Sequence, residues 1–182
     1  MTGANQLSKT SILLHWTVAI PVIGLICTGL YMSNTRAYWL FNYHKSIGVL
    51  LFAIAIARVI WRIREGWPTP LSQLRRIEQY LAKAAHWILI IATIGMPVSG
   101  MMDSGVGGHG FGIFSWELVP PNHDAERPDV AVPYNNALAR LGEIVHKYLG
   151  YLLAATVSLH IFAVLKHHVL DRDGTLWRML GR

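Results

Sequence analysis

His146-Lys147-Tyr148-Leu149-Gly150-Tyr151 opens an apolar run with no charge after Lys147 until Lys166, and a second histidine, His160, lies within it. The two histidines are fourteen residues apart. On an α-helix, that separation leaves the rings about 40° apart in phase and roughly 21 Å apart along the axis. One helix would then present two imidazoles on one face, one near each side of a bilayer. The run is expected to span a membrane over about residues 143–165.

Three other apolar runs surround it in sequence. The first covers about residues 11–32 without a charged residue, and His15 lies one turn inside its start. Pro21, Gly24 and Gly29 would weaken that helix in water, but inside a bilayer neighbouring helices satisfy freed carbonyls and small residues allow close approach. The second run, about 44–61, opens on His44 and closes on Arg58, Arg62 and Arg64. The third, about 84–102, carries His86 at its entry and Pro97 and Gly100 near its exit. These spans predict an all-α fold, an integral membrane four-helix bundle in a single domain over residues 1–182.

Composition agrees with that class. Of the 182 residues, 53% are hydrophobic and only 14% charged, and the charges fall in blocks between apolar stretches. The lone Cys27 excludes a disulfide within the chain and a multi-cysteine metal site. No Cys-x-x-Cys-His occurs, so a haem would be held by ligation alone. The segment from Thr2 to Lys9 is too short and polar for a signal peptide.

Charge also sets an orientation. The N-terminal tail, the connection from Arg58 to Lys83 and the tail from Lys166 hold eleven Lys and Arg, against five on the other side. Six of ten acidic residues lie between Asp103 and Glu143. Both termini are therefore expected in the cytoplasm. The net charge of +6 reads as topology, not as a nucleic-acid surface.

Between the spans, Ser33 to Tyr43 is aromatic and suits a membrane interface. Trp67-Pro68-Thr69-Pro70 interrupts helix formation, and Ser72 to Leu81 is expected as a short surface helix, with Leu71, Leu74, Ile77 and Leu81 at helical spacing. The long stretch from Asp103 to Gly142, rich in Gly and Pro, is expected to be irregular or packed over one membrane face.

Orientation assigns depth to the histidines. His44 and His146 fall near the periplasmic side, and His15 near the cytoplasmic side. His160 is six residues before Lys166, roughly 9 Å inside the same boundary. Matched by depth, His44 pairs with His146 and His15 with His160, and each pair is suited to clamp one haem between two helices. Bis-histidine ligation leaves no open axial position, which suits electron transfer rather than oxygen binding.

Lys45, Ser46 and Lys147 are placed for propionates of the outer haem, and Lys9, Arg62, Arg64 and Lys166 for those of the inner one. His86 and His167 are candidates for an inner propionate or quinone contact. His109 and His123 lie in the long loop, where an external pocket is conceivable. Gly48 and Gly150 offer room for a macrocycle, and Tyr151 and Trp16 are candidates to stack on one. Each also has a plainer reading: helix packing for the glycines, a lipid-facing position for the aromatics, and an interfacial hydrogen bond for any single histidine.

Taken in order, Leu14-His15-Trp16, Asn42-Tyr43-His44-Lys45-Ser46-Ile47-Gly48, Trp67-Pro68-Thr69-Pro70, Pro97-Val98-Ser99-Gly100 and His146 to Tyr151 through Leu159-His160 to Leu165-Lys166-His167-His168 resemble the bacterial cytochrome b561 family. The resemblance covers about Ser8 to Asp173. The family is similar in fold to the di-haem cytochrome subunits of nickel–iron hydrogenases and formate dehydrogenases. It implies a multi-pass protein of the bacterial inner membrane with two haem b groups, His15, His44, His146 and His160 as axial ligands, and ubiquinone as a partner near the inner haem. Some free-standing members look like superoxide:quinone oxidoreductases. The loop with His109, Trp116 and His123 matches no family motif closely.

The resulting expectation is a membrane oxidoreductase passing electrons from a periplasmic donor, with superoxide the leading candidate, to ubiquinone. The alternative is an anchor subunit that passes electrons between a dehydrogenase or hydrogenase partner and quinone. A haem-free protein whose histidines bind zinc or move protons is disfavoured, because few carboxylates lie within the spans. Lipid is an obligatory partner, and a homodimer through small-residue faces is compatible with the sequence.

Overall fold

The computed structural model describes residues 7–68 and 75–182. Its four long helices are α1, Lys9–Thr35; α2, Phe41–Glu65; α3, Arg76–Val106; and α4, Asn136–Val169. All four are long and apolar enough to cross a membrane. A short 3-10 turn at Tyr38–Leu40 precedes α2, and a one-turn helix, α5, Thr175–Met179, closes the chain.

Local chemistry sets the ends of α1. The Ser8 hydroxyl accepts a hydrogen bond from the Ser11 amide at 3.1 Å, satisfying one of the donors that a helix start leaves free. At the other end Arg36 adopts a left-handed conformation, φ 54°, and its N–H returns to the Met32 carbonyl. Pro21 lies inside this helix, as a membrane setting tolerates.

The helices extend beyond the apolar runs at every end. The separate surface helix expected over Ser72–Leu81 is corrected: Arg76 to Leu81 forms the first turns of α3 itself, while Leu71, Ser72 and Leu74 lie outside the described residues. Glu78 anchors that start. It accepts from the Arg75 amide at 3.1 Å and pairs with Lys166 at 3.1 Å, joining the beginning of α3 to the end of α4. Thr69 and Pro70 also lie outside the described residues.

The helices pack as α1 on α2, α2 on α3, α3 on α4 and α4 on α1, an up-down-up-down bundle with both termini at one end. At that end Trp16 Nε1 donates to the Met179 carbonyl at 2.9 Å, and the Ser11 hydroxyl bonds Glu65. The core is built from Val18, Val22, Leu51, Ala92 and Leu153. Most large apolar residues face outward, Leu13, Ile91, Leu159 and Phe162 among them. Lipid tails accept such side chains without penalty, so the helices associate by close packing rather than by hydrophobic expulsion. At the α3–α4 crossing a Cβ on Gly142 would lie 2.7 Å from the Asp103 backbone nitrogen, and one on Gly95 would lie 2.9 Å from Leu149.

The long connection contains regular structure. Strands β1, Phe111–Ile113, and β2, Trp116–Val119, form an antiparallel hairpin. The Phe114 amide donates to the Ser46 hydroxyl at 2.7 Å, and Lys45 Nζ donates to the Gly110 carbonyl at 2.8 Å. Gly108 and Gly110 have φ of +81° and +65°, and a Cβ at either would strike backbone within 2.7 Å. The turn into the hairpin therefore accepts only glycine at both positions.

Candidate functional site: two histidine clusters within the bundle

At the loop end, His44 from α2 faces His146 from α4, with ring centroids 6.2 Å apart and planes at 76°. The hydrogen bonds of each ring fix its tautomer. Thr28 Oγ1 lies 3.0 Å from the Gly24 carbonyl and 3.1 Å from that of Leu25, and 3.2 Å from His44 Nδ1. The single hydroxyl proton goes to the helix carbonyls, so the hydroxyl accepts from His44 Nδ1–H. The Ser99 hydroxyl likewise donates to the Met96 carbonyl. His146 Nδ1 is 3.0 Å from that carbonyl and 3.2 Å from Ser99 Oγ, and it donates to both. On each ring the remaining lone pair is therefore on Nε2, the state that a metal-ligating histidine requires.

This pair fits a haem iron. A metal between two imidazoles, with bonds of roughly 2 Å and about 1 Å more from each nitrogen to its ring centre, sets the rings roughly 6 Å apart. Glycines stand against both rings: a Cβ on Gly29 would lie 3.5 Å from His44 Cε1, and one on Gly100 would lie 3.1 Å from His146 Cε1 and Nδ1. Among the described residues no group of three or more His, Cys, Asp and Glu could hold a metal ion. A pair of axial imidazoles with a macrocycle supplying the remaining donors is the arrangement that this chemistry suits.

The end bearing the termini gathers a different set. His160 from α4 lies 5.8 Å from His86 of α3, ring centre to ring centre, with planes at 69°. Trp67 lies 6.3 Å from His86 and 5.7 Å from Trp87. His160 is half-buried, while His86 has an exposed edge. His15 of α1 is half-buried beside Trp16, 5.3 Å away, and its Nδ1 lies 3.2 Å from Arg58 Nη2. The depth pairing thus brings His44 to His146 in ring contact, whereas the ring nearest His160 is His86.

Several charged and polar candidates are engaged with protein. Ser46 is fully buried, donating to the Asn42 carbonyl and accepting from Phe114 N–H, so it anchors the hairpin. Lys45 serves the same loop through Gly110. Arg62 contacts Ser11, the Gly66 carbonyl and Glu65. Lys166 pairs with Glu78 at 3.1 Å and Asp171 at 3.2 Å, and His167 Nδ1 lies 2.8 Å from Asp171. Lys147 is exposed, with Nζ 6.0 Å from the Tyr148 ring, and Arg64 and Lys9 are exposed as well. His109 and His123 are exposed on the loop, and His123 bridges to Ala131. Gly48 faces open space, and Gly150 faces the Met96 side chain.

Sequence reading missed Thr28, Ser99 and the Met96 carbonyl as partners of the rings, and it treated Arg58 only as the end of a span. Ser99 sits in Pro97-Val98-Ser99-Gly100, but nothing local marks it as facing a histidine on another helix.

Comparison with known proteins follows the same pattern. The model of the family described as prokaryotic cytochrome b561 matches residues 6–182. Cytochrome b561 homolog 2 of Escherichia coli is 33% identical over 173 residues, covering 92% of this chain and 87% of its own. Cytochrome b561 homolog 1 of the same organism is 25% identical, with 98% of each chain covered. A probable superoxide oxidase CybB of Yersinia pestis is 24% identical over 93% of this chain and 92% of its own.

Proposed function

The chain belongs to the prokaryotic cytochrome b561 family of membrane cytochromes, which bind haem b and transfer electrons, and on that premise we propose that it carries electrons through two haem b groups from a periplasmic donor to ubiquinone. His44 and His146 ligate the loop-side haem, and His15 and His160 the haem near the termini. The observation that carries the reading is the His44–His146 pair, 6.2 Å apart with both Nδ1 atoms donating to protein acceptors. Both termini face the cytoplasm of an inner-membrane protein, in line with the excess of Lys and Arg at that end.

When bound, the haems would supply one-electron redox chemistry, with the histidines named above holding them. The chain's own residues orient and insulate. Thr28, Ser99 and the Met96 carbonyl hold the outer imidazoles in the ligating tautomer and restrict their rotation. Leu51, Ala92 and Leu153 are buried in the apolar core of the bundle. Trp67, with His86 and its exposed edge beside His160, offers a lipid-accessible place for a quinone ring, with Arg62, Arg64, Lys166 and His167 around the same end.

Superoxide is the leading donor, a reading favoured by the name of the Yersinia pestis relative. Two superoxide anions each give up one electron and leave as dioxygen, and ubiquinone takes both electrons and two protons to become ubiquinol. The exposed Lys147 would steer the anion locally, since six carboxylates in and beside the loop oppose any broad attraction.

The test is the oxidised and dithionite-reduced spectrum of detergent-purified protein with haem quantitation, followed by ubiquinone reduction under a superoxide flux. Two b-type haems per chain and superoxide-dependent quinol formation are expected. A protein that stays free of haem after haem-supplemented expression removes the reading. Full haem without superoxide-driven reduction would assign the donor to a protein partner.

A further inference from the structure

The hairpin has an apolar face that the described residues leave largely uncovered. In β2, Trp116 is 69% exposed and Leu118 44%, and a strand places residues two apart on the same face. The opposite face is taken. Phe111 and Val119, paired across the hairpin, turn to α3, where a Cβ on Gly105 would lie 3.0 Å from the Phe111 ring and 4.0 Å from Val119. At the turn between the strands, Phe114 is 48% exposed and stands beside Tyr43, ring centres 6.4 Å apart. Contiguous exposed apolar surface of this kind marks an interaction site.

The place of the hairpin on the bundle says what covers it. The Phe114 amide is held by the Ser46 hydroxyl. Ser46 lies about 200° around α2 from His44, and His44 faces His146 in the interior, so the hairpin is fixed to the outward side of α2. Ser46 is also five residues past the first residue of α2, roughly 7–8 Å along the axis. The turn of the hairpin thus lies alongside the bundle at this depth, not above it. Tyr38, Trp39, Phe41 and Tyr43, all exposed, come one to two turns earlier, and aromatic side chains collect where a spanning helix meets the headgroups. Charge divides the connection in the same sense. Residues 110–119 hold one charged residue, Glu117, whereas 120–135 hold Asp124, Glu126, Arg127 and Asp129.

We propose that the hairpin is a membrane anchor: Phe114, Trp116 and Leu118 lie in the headgroup and glycerol region of the leaflet at the loop end and extend the aromatic belt of α2. The occupant of the uncovered face is lipid, not a second copy or a soluble protein, because the face is continuous with that belt through Tyr43 and Phe114 and the charges are set in the other half of the connection. Lipid holds the hairpin from outside, while Ser46 and Lys45, the chain neighbours of His44, hold it from inside. The inference rests on the four membrane spans and requires no cofactor.

The test is spin-label accessibility in full-length protein reconstituted into vesicles of phosphatidylethanolamine and phosphatidylglycerol. In a Cys27→Ser background, Ser115→Cys, Leu118→Cys, Trp39→Cys or Glu126→Cys is introduced one at a time and labelled with a nitroxide. Ser115→Cys leaves all three anchoring side chains in place. Oxygen concentrates in lipid, and a neutral nickel chelate stays in water. The ratio of oxygen to chelate collisions at positions 115 and 118 should match that at 39 and exceed that at 126 several-fold. Adding Trp116→Asp to Ser115→Cys should bring the ratio down to the value at 126.

A ratio at 115 and 118 equal to that at 126 would overturn the proposal, since it places the hairpin in water. Exclusion of both reagents at 115 and 118 would overturn it equally, since it places a protein surface there. So would a ratio that Trp116→Asp leaves unchanged. If that variant does not accumulate, the comparison of 115 and 118 with 39 and 126 decides alone.

Discussion

Gly100→Ala tests whether the outer imidazole is held by α3. The new Cβ would lie 3.1 Å from both Cε1 and Nδ1 of His146, so the ring must yield by a few tenths of an ångström. It is not free to do so, because Nδ1 is held at 3.0 Å by the Met96 carbonyl and at 3.2 Å by Ser99, both on the helix that pushes. Overpacking costs roughly 1–3 kcal/mol, and a weakened hydrogen bond adds up to about 1 kcal/mol. Replacing a helical glycine by alanine returns about 1 kcal/mol.

The net loss of about 0–3 kcal/mol is small for a four-helix membrane bundle, so the protein should still fold. On the proposed ligation, the displacement falls on the contact between His146 and the haem. Haem content should fall from two towards one per chain, or the low-spin electron paramagnetic resonance signal of one haem should shift while the other is unchanged. Gly29→Ala is the control, since its Cβ would meet His44 at an ordinary 3.5 Å, and it should keep both haems. A Gly100→Ala protein with two haems, the original resonance signals and unaltered potentials would refute the reasoning.

Other outcomes follow from the same geometry. Alanine at His44 or His146 should remove the same haem, and alanine at His15 or His160 the other, as read by pyridine haemochrome and the split of the reduced α-band. Thr28→Val preserves shape but removes the acceptor for His44 Nδ1–H; the affinity for one haem should drop roughly 10- to 100-fold, with Thr28→Ser close to the unaltered protein in a haem-transfer assay. Ser46→Ala leaves the Phe114 amide without its acceptor at a cost of about 1–3 kcal/mol, so limited proteolysis should cut residues 107–135 faster while the haem spectrum persists. Gly108→Ala would press on the Val132 backbone at 2.3 Å with φ at +81°, and a sharply lower unfolding temperature is expected.

Much of this was legible in the chain. The fourteen-residue spacing of His146 and His160 is a property of one helix, and helical geometry fixes it whatever surrounds it. The long apolar runs marked four spanning helices for the same reason. The hairpin was not legible, because β1 and β2 are only three and four residues long and rely on Ser46 and Lys45 of another element. The start of α3 was misplaced because Arg75 and Arg76 look like a polar connection, whereas Glu78 caps the helix and Lys166 of α4 secures it.

The sequence by itself determined the class, the four spans and the depth of each histidine, since these follow from hydropathy and from rise per residue along a single element. The tertiary structure decided the rest. It set His146 against Ser99 and Met96, His44 against Thr28, His86 against His160, and Arg58 on the nitrogen of His15. Those contacts depend on how far each helix is rotated and shifted against its neighbour. In a bilayer, where apolar faces give no preference between lipid and protein, that rotation is chosen by small residues and buried hydrogen bonds spread over several helices.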